Sequence, residues 1–292
     1  MSATAAIHPT AVCDTQELGT GVAIGSHSSV EAGARIGNDV IIKSGVHIYR
    51  GMVVEDGVHV GTNATFASSR LPGDGQGTDR PIVLRKGCVI GANATICAGV
   101  TVGEQAIVDA GAVVSQSVQP FAIVAGNPAK VVGFADTPAT YVQAPGRSGG
   151  HVQQIESKVR GVRAFQLPFI SDPRGNLTVG EFERSLPFTP LRYFITFDVP
   201  SASMRGEHAH KECQQFLICV RGSCNVVVDD GAQREEFVLD RPTFGVYVPP
   251  MVWATEYKHS ADSTLLVFAS HHYDPADYIR DYDEFLAVTR PR

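Results

Sequence analysis

The sequence predicts an all-β protein with two domains, a parallel β-helix followed by an antiparallel β-barrel. Two observations predict it: a hydrophobic repeat with a period of six residues fills the first half, and short β-rich runs separated by turns fill the second. The repeat stops near residue 132 of 292, and this length suits two ordinary domains.

The β-helix is predicted from the phase of the repeat. Mostly aliphatic residues recur every six positions from Val12 to Phe66 and resume in the same phase from Leu84 to Val114. A period of six fits neither an amphipathic helix nor an alternating strand, but it fits a coil in which each hexad forms one short strand and one corner. Residues two positions earlier are mostly small or aliphatic, as a narrow interior requires. Glycine often follows the repeated residue, and we expect it to give the backbone freedom to turn.

Two segments break the repeat and set the predicted domain limits. Residues 67–83 carry glycine, proline and charge, which predicts a loop that leaves the coil. Residues 135–154 lack periodicity and predict a linker between domains at 1–134 and 155–292. The second domain is predicted as a small antiparallel barrel or double-sheet roll. Its predicted strands are Val159–Gln166, Asn176–Glu183, Arg192–Val199, Gln214–Val220, Cys224–Val228, Glu235–Leu239, Phe244–Val248 and Leu265–Ala269.

The composition argues against several classes of function. The formal net charge is −6, with no basic stripe for nucleic acid and no apolar run long enough to span a bilayer. The first residues lack a charged segment followed by a long apolar one, so we expect no secretion signal and a cytoplasmic protein. The six cysteines form no CxxC pair, which favours reduced packing residues over disulfides or a zinc site.

A coil of hexads can be a purely structural shell, but the loop at 67–83 favours an active role, because a projecting loop can cover a neighbouring subunit's groove. The stretches GTNATFASSRLP and VLRKGCVIGANATICAGVTVGEQAIVDAGAVVSQSVQPFAIVAGNPAKVVG resemble the left-handed β-helix acyltransferases, and among them the nucleotide-sugar N-acetyltransferases. The resemblance covers residues 7–134. It implies a trimer with acetyl-CoA in the groove between adjacent prisms. Ala94 and Ala112 would leave room for the pantetheine arm, and Lys130 would meet a phosphate.

The acceptor part of this predicted site departs from the family's pattern. Relatives often carry Thr-Asn-Asp after the phenylalanine of this segment, whereas this chain carries Ala67-Ser68-Ser69. The asparagine that holds the amine is therefore missing, and Ser68, Asn63 or a nearby histidine would replace it. His59 and His47 each precede a repeated residue, so we expect their side chains to point outward, either as surface groups or as a base.

The sharpest motif of the second domain is Arg205-Gly206-Glu207-His208-Ala209-His210-Lys211. Two imidazoles at i and i+2 share one face of a strand, where they can be metal ligands, packed core residues or an acid/base pair. A cupin metal set would add a glutamate and a third histidine, but Gln214 or Gln215 and Trp253 occupy those positions. Two histidines hold zinc or iron poorly, so we expect no metal, and the structural and acid/base hypotheses stay open.

Several separated motifs then favour acid/base chemistry. The segments DPRGNL (172–177), RGEHAHK, QQFLI (214–218), VVVDDG and HHYDPADYIRDYDEF occur in this order and resemble the cupin-fold sugar 3,4-ketoisomerases that act on dTDP-4-keto-6-deoxyglucose. The resemblance covers residues 155–288. It implies that a base takes the proton from carbon 3 and an acid delivers one to carbon 4, without a cofactor.

The same resemblance implies roles for individual residues. His210 would be the proton shuttle and His208 its partner. Arg205 or Arg174 would stabilise the negative charge of the enediolate or the diphosphate. Tyr193 and Arg192 would contact the hexose, and Tyr247 and Trp253 would line the pocket.

Together the two halves predict a bifunctional dTDP-sugar enzyme. The barrel would make a 3-keto-6-deoxyhexose, a separate aminotransferase would convert it to the amino sugar, and the β-helix would acetylate the amine for a surface polysaccharide. Two alternatives remain: an acetyltransferase with a sugar-binding barrel, and a ketoisomerase with an inactive trimerising β-helix. Because β-helix prisms associate in threes and cupin barrels commonly in pairs, we expect a hexamer.

Overall fold

The computed structural model describes residues 5–67, 81–137, 139–140, 151–184, 186–200 and 203–289. The chain divides into two compact units between Asp136 and Thr137. Most of the loop predicted at 67–83 lies outside the described residues, as does much of the linker predicted at 135–154. Ala139–Thr140 lies within that linker range and Gln153–Glu156 begins in it, and both are strands of the second unit.

The first unit is built of short strands in a regular succession. They are β1 (Ala6–Ile7), β2 (Val12–Cys13), β3 (Glu17–Leu18), β4 (Ala23–Ile24), β5 (Ser29–Val30), β6 (Arg35–Ile36), β7 (Ile41–Ile42), β8 (His47–Ile48), β9 (Val53–Val54), β10 (His59–Val60), β11 (Thr65–Phe66), β12 (Val83–Leu84), β13 (Val89–Ile90), β14 (Thr95–Ile96), β15 (Thr101–Val102), β16 (Ile107–Val108), β17 (Val113–Val114), β18 (Ala122–Ala125) and β19 (Lys130–Phe134).

These strands coil into a three-faced prism. Ala23 pairs with Ile41 and Ile41 with His59, so one coil takes 18 residues, or three hexads. His59 pairs with Val89, 30 residues on, because the chain between β11 and β12 is longer and the phase is then recovered. The faces are β1-β4-β7-β10-β13-β16-β18-β19, then β3-β6-β9-β12-β15, then β2-β5-β8 beside β11-β14-β17. All pairs are parallel except β18 with β19.

The repeated residues fill the prism, which confirms the predicted β-helix. Ile42 and Ile90 are 1% exposed, and the small Ala112, two positions before a repeated residue, is fully buried. The predicted role of the glycines that follow the repeated residues is wrong, because their φ is not left-handed. A Cβ on Gly61 or Gly91 would lie 2.6 or 2.4 Å from a backbone nitrogen of the next coil. Glycine there allows successive coils to approach closely.

The second unit contains longer strands and one α-helix. They are β20 (Ala139–Thr140), β21 (Gln153–Glu156), β22 (Arg163–Gln166), β23 (Ile170–Asp172), β24 (Gly175–Leu177), β25 (Arg192–Phe197), β26 (Arg205–His210), β27 (Gln215–Arg221), β28 (Cys224–Asp229), β29 (Arg234–Leu239), β30 (Phe244–Val248), β31 (Trp253–Tyr257), β32 (Thr264–Ala269), β33 (Tyr278–Ile279) and α1 (Tyr282–Thr289).

Two six-stranded sheets, β20-β29-β28-β31-β26-β33 and β21-β22-β30-β27-β32-β25, form the predicted double-sheet roll. The predicted strand at Asn176–Glu183 is wrong over most of its length. The β24 strand ends at Leu177, and further along the predicted range Phe182 forms an isolated bridge with Leu186. The strands β20, β21, β23, β31 and β33 and the helix α1 were not predicted from the sequence.

An apolar core fills the space between the two sheets. Leu217, Val226 and Val246 are fully buried there, and α1 packs Phe285 against Trp253 on the outside of the first sheet. Within the described parts of the chain, no helix combines the length and the low polarity that crossing a membrane would require. Toward the residues of β26 the barrel interior changes from apolar to polar, and the candidate site lies there.

Candidate active site

The β26 strand, which carries the histidine motif, bends at a β-bulge. Its register with β31 shifts between Gly206 and His208, and the intervening Glu207 has a left-handed φ of 53°. Gly206 has a φ of 74°, and a Cβ there would lie 2.7 Å from the carbonyl oxygen of Ala254, so glycine is required. Bulges re-aim side chains, and here Nδ1 of His208 lies 2.7 Å from the carbonyl oxygen of Gly206.

His210 is paired with an aspartate 67 residues later in the chain. Its Nδ1 lies 2.7 Å from Oδ2 of Asp277, and the histidine is 5% exposed. Asp277 ends the 3₁₀ turn Pro275–Asp277, and its Oδ1 accepts the backbone N–H of Glu212 at 2.7 Å. The β33 strand follows directly, so that Tyr278 pairs with His210 and packs against its ring at 4.4 Å between centroids. The carboxylate and the tyrosine therefore fix the orientation of the imidazole.

These contacts assign the protons on the two rings. A carboxylate and a carbonyl oxygen only accept hydrogen bonds, so Nδ1 carries the proton in both His208 and His210. The two Nε2 atoms then carry lone pairs when the rings are neutral, and they face each other at 3.2 Å. The side-chain amide of Gln215 lies 3.0 Å from Nε2 of His210. A single proton between the Nε2 atoms would turn a repulsive contact into a hydrogen bond, so the pair is arranged to accept one.

Burial favours the neutral form of both rings. It lowers the pKa of His208 to about 4 and also lowers the pKa of His210, although the Asp277 hydrogen bond opposes the second shift. Burial of Asp277 tends to raise its pKa, but hydrogen bonds from Glu212 and His210 outweigh this effect and the pKa is lowered. At neutral pH the site therefore holds neutral imidazoles beside an ionised carboxylate, which is the state a general base requires.

A cavity of about 630 Å³ opens beside the histidines, within the usual range for small-molecule sites. His208, Gln215 and Tyr278 belong to its lining, and His210 contacts all three. The remaining lining includes apolar residues of β25 and the carboxyl groups of Glu207 and Glu256. Apolar walls and a few convergent polar groups are typical of a site that binds and orients one small molecule.

Three arginines give the site positive charge. Arg205 and Arg280 are exposed at the cavity, with the guanidinium of Arg280 4.3 Å from the ring centroid of Tyr278. Arg192 is half-buried, and its charge contributes to the lowered pKa of His210. Its guanidinium lies 5.6 Å from the ring centroid of Phe194, a residue of the cavity lining. An enediolate or a diphosphate at this cavity would therefore meet cationic groups.

Two of the residues predicted to act with these groups lie outside the cavity lining. Arg174 is exposed on the β23–β24 hairpin, where its guanidinium forms an ion pair with Asp172 at 2.9 Å. Tyr193 is 65% exposed, because the alternation along β25 turns it away from the half-buried Arg192 and Phe194.

The two predicted aromatic lining residues are buried in the fold. Tyr247 donates its hydroxyl proton to Oε1 of Gln214 at 2.8 Å, and the guanidinium of Arg163 lies 4.8 Å from its ring centroid. Trp253 is 5% exposed and packs edge-on against Tyr282 of α1. The cavity lining includes neither ring.

Among the described residues, one group of side chains combines atoms that can ligate metals. Ligand atoms of His210, Cys213 and Asp277 lie within 4.8 Å of one another. Nδ1 of His210 is already bonded to Asp277, and the thiol of Cys213 donates to the carbonyl oxygen of Gln214 at 3.4 Å. A structural zinc site uses four protein ligands and a catalytic one three plus a water, and in this group of three the histidine, thiol and carboxylate already bond to protein atoms. The absence of a metal requirement stays a prediction.

The acceptor residues predicted on the β-helix are spread over the prism. Ser68 lies outside the described residues. His59 is half-buried on β10, whereas His47 is exposed on β8 with its Nδ1 2.7 Å from Oγ of Ser29. The two histidines stand on different faces of the prism. Asn63 is exposed at a corner with a left-handed φ of 56°.

The residues predicted to contact acetyl-CoA are also separated. Ala94 and Ala112 are fully buried with their side chains inside the prism, and their carbonyl oxygens accept backbone N–H groups of the preceding coil at 2.8 Å. Lys130 is exposed at the start of β19. A cavity of about 520 Å³ lies elsewhere on the β-helix and is lined partly by Glu17 and Arg35.

Sequence reasoning missed several residues that the fold brings to the histidines: Asp277, Tyr278, Arg280, Glu256 and Glu207. Gln215 was considered only as a substitute for a metal ligand. The tail HHYDPADYIRDYDEF contains three of these residues and supported the resemblance, yet nothing in its spacing pairs an aspartate with His210. A carboxylate after a proline turn, near the end of a chain with an HxH strand, is the signal that could have found Asp277.

Comparisons with known proteins match the two units of the chain to two different families. The family model FdtA: WxcM-like, C-terminal matches residues 160–290, and the model Hexapeptide repeat of succinyl-transferase matches residues 18–50 and 81–116. The TDP-4-oxo-6-deoxy-alpha-D-glucose-3,4-oxoisomerase of Aneurinibacillus thermoaerophilus is 44% identical over 116 residues, which are 40% of this chain and 84% of that relative. The barrel with its histidine–aspartate pair is thus of the sugar-isomerase class. Through this domain the chain belongs to the FdtA (WxcM-like, C-terminal) family.

Two further similarities are narrower. The 2,3,4,5-tetrahydropyridine-2,6-dicarboxylate N-acetyltransferase of Staphylococcus aureus (strain JH9) is 54% identical over 52 residues, 18% of this chain. The chain spans only 22% of that relative's length. Among solved structures, a 3,4-ketoisomerase from Helicobacter canadensis is 36% identical, with a TM-score of 0.43, over 44% of this chain and 97% of that chain.

Proposed function

We propose that the chain is a bifunctional dTDP-sugar enzyme. Its barrel converts dTDP-4-keto-6-deoxyglucose to a dTDP-3-keto-6-deoxyhexose, and its β-helix N-acetylates the derived 3-amino sugar with acetyl-CoA. The observation that supports the first activity is the series of side-chain contacts Asp277–His210–His208, which ends at a cavity in a domain of the FdtA family. The second activity rests on the hexapeptide repeats and on the partial likeness to an N-acetyltransferase.

The isomerisation moves a carbonyl from carbon 4 to carbon 3 through an enediol. The C3 proton goes to the Nε2 position shared by His208 and His210, and His210 holds it because Asp277 neutralises the imidazolium. The same proton position then supplies carbon 4. The positive charges of Arg205 and Arg192 stabilise negative charge that develops on the substrate oxygens. No step requires a metal, so we expect full isomerase activity after exhaustive chelation, and activity restored by zinc or iron would contradict this mechanism.

The remaining predicted barrel residues have supporting roles in the proposal. Arg174 and Tyr193 are exposed, which suits contact with the nucleotide end of the substrate better than contact with the reacting carbons. Tyr247 and Trp253 are buried, so they act by holding Gln214 and α1 in place. In these assignments His208 and His210 alone transfer the proton between carbon 3 and carbon 4.

The acetyl transfer needs a site completed by a second prism. Lys130 is exposed and free to meet a phosphate of acetyl-CoA, and the acceptor end would lie near His59, Asn63 and Ser68. The small Ala94 and Ala112 keep the coils narrow at this end of the prism. We place both reactions in the cytoplasm, where acetyl-CoA is available.

The proposed assembly is a hexamer, with trimeric β-helices and paired barrels. An exposed apolar row on β25, consisting of Tyr193, Ile195 and Phe197, supports the pairing, because β25 stands at one end of its sheet. Light scattering tests it: the chain should have the mass of a hexamer, and Ile195→Asp should reduce it to a trimer. A wild-type trimer would contradict barrel pairing.

Two measurements on the full chain test the function. The NMR spectrum of the product formed from dTDP-4-keto-6-deoxyglucose should show a 3-keto sugar, and calorimetry should show acetyl-CoA binding. Sugar binding without conversion would favour a barrel that serves only as a binding module. Conversion without acetyl-CoA binding would favour an inactive β-helix scaffold.

A further inference from the structure

Glu256 is a buried carboxyl group that the mechanism above does not use. It lies on β31, is 8% exposed and lines the same cavity as His208. Among the described residues its carboxyl group has no hydrogen bond and no ion pair within 4 Å, whereas the buried Glu236 accepts hydrogen bonds from Asn225 and Tyr257. Because Glu256 lines the cavity and no described protein group bonds to its carboxyl oxygens, these oxygens are available to a ligand in the cavity.

The strand register places Glu256 on the inner face of the barrel. Ala254 and Glu256 alternate on one face of β31, and they stand opposite Val228 and Val226 of the core. His208 stands opposite the same Ala254 from the other side, on β26. The carboxyl group of Glu256 and the ring of His208 therefore enter the cavity from adjacent strands, so that one substrate can contact both.

The surroundings of Glu256 favour a carboxyl group that gains and loses a proton near neutral pH. Burial raises the pKa of Glu256 to about 7, and the charge of Arg205 opposes the rise. The titratable and charged groups that face it from the paired strands and across the cavity are Arg205, Glu207 and His208 of β26, Cys224 of β28, Tyr278 of β33 and Arg280. Glu207 also has a raised pKa through burial.

We propose that Glu256 carries the proton that must pass between the two oxygens of the migrating carbonyl group. The inference rests on the proposed ketoisomerase function and adds the residue that this function lacks. Isomerisation moves two protons, one from carbon 3 to carbon 4 and one from O3 to O4. The histidine pair accounts for the first, and a carboxyl group with two oxygens can reach both O3 and O4.

The two steps balance without any further reactant. In the first, the C3–H bond breaks, its proton goes to the histidine Nε2, its electron pair forms the C3–C4 double bond, and O4 takes the proton of Glu256. The products are a neutral enediol, an imidazolium and a carboxylate. In the second, the carboxylate of Glu256 removes the O3 proton, the C3–O3 bond becomes a carbonyl, and carbon 4 takes the proton of the imidazolium. Both side chains return to their starting states.

The test is the pH dependence of isomerisation of dTDP-4-keto-6-deoxyglucose by the full chain. The resting enzyme needs Glu256 protonated, so the wild-type rate should fall as pH rises above about 7. Glu256→Gln keeps the shape but carries no acidic proton, so it should be slower by roughly a hundredfold and lose this alkaline fall. Glu256→Asp should keep the fall. Glu284→Gln, at an exposed carboxyl group of α1 outside the cavity lining, is the control, and it should stay within about threefold of wild type and keep the fall.

Each other outcome decides against the proposal. A Glu256→Gln variant that isomerises at the wild-type rate, or that is slow but keeps the alkaline fall, shows that the carboxyl group does not move the proton. If Glu207→Gln removes the fall instead, the role belongs to Glu207. Thermal melting and acetyl-CoA binding report whether the Gln variant is folded, and a misfolded variant leaves Glu256→Asp as the deciding one. A wild-type chain inactive on this sugar contradicts the proposed function itself.

Discussion

The interior of the β-helix is repeated from coil to coil, whereas each residue of the barrel site occurs once. Ile42 and Ile90 occupy equivalent positions on the stacked strands β7 and β13, on either side of Val60 in the same ladder. In the barrel, the carboxylate that bonds to Nδ1 of His210 comes from Asp277, in a distant part of the chain. The stability of a repeat is shared among neighbouring coils, whereas substitution of one side chain can abolish the activity of a site whose residues each occur once.

The first prediction has the largest expected effect and concerns a substitution that removes only the isomerase activity of the barrel. His210→Asn removes the nitrogen that holds the C3 proton, so isomerisation should fall by on the order of a hundredfold or more. Acetyl transfer should be unchanged, because it belongs to the other domain. The exposed His272→Asn is the control and should retain normal isomerisation. A normal rate in His210→Asn would move the role of proton carrier to His208.

The same contrast explains what could be predicted from sequence. The β-helix was predictable because a six-residue period survives even the longer connection before β12, so one rule fixed the inward positions. The strand position of His208 and His210 was predictable from their i, i+2 spacing. The pairing of His210 with Asp277 was not predictable, since it depends on β33 lying beside β26, a contact that local pattern does not encode. The inward direction of Glu256 likewise depends on the register of β31.

The second prediction sharpens the role of the long-range pair. Asp277→Asn keeps an acceptor for Nδ1 but removes the charge that stabilises the imidazolium, so the isomerase rate should fall by roughly ten- to a hundredfold. Asp277 raises the pKa of His210, so its removal should also shift the acid limb of the rate profile to lower pH. Asp274→Asn is the matched control, because it removes a carboxylate charge from the same turn and keeps an acceptor for the N–H of Ala276. An acid limb that moves to higher pH would contradict the proposed role.

The smallest expected effect is a loss of folding stability at low pH, and we expect it in the barrel and not in the β-helix. Buried His208 has a pKa of about 4 in the folded barrel, below its ordinary value near 6.5, so the unfolded chain takes up a proton that the folded chain excludes. Stability should therefore be lost as the pH falls from about 6.5 toward 4. The full effect is roughly 3 kcal/mol, and residual contact with solvent reduces it to about 2 kcal/mol.

The chain's single tryptophan makes this loss measurable in one domain. Trp253 lies in the barrel, and none of the histidines described in the β-helix is buried. Denaturant unfolding followed by tryptophan fluorescence should thus show a steep loss of stability below pH 6.5. His208→Gln should flatten the slope without abolishing it, because burial also lowers the pKa of His210. An equal slope in the variant would mean that His208 is not held neutral by burial, which would undermine its assignment as half of a neutral proton-accepting pair.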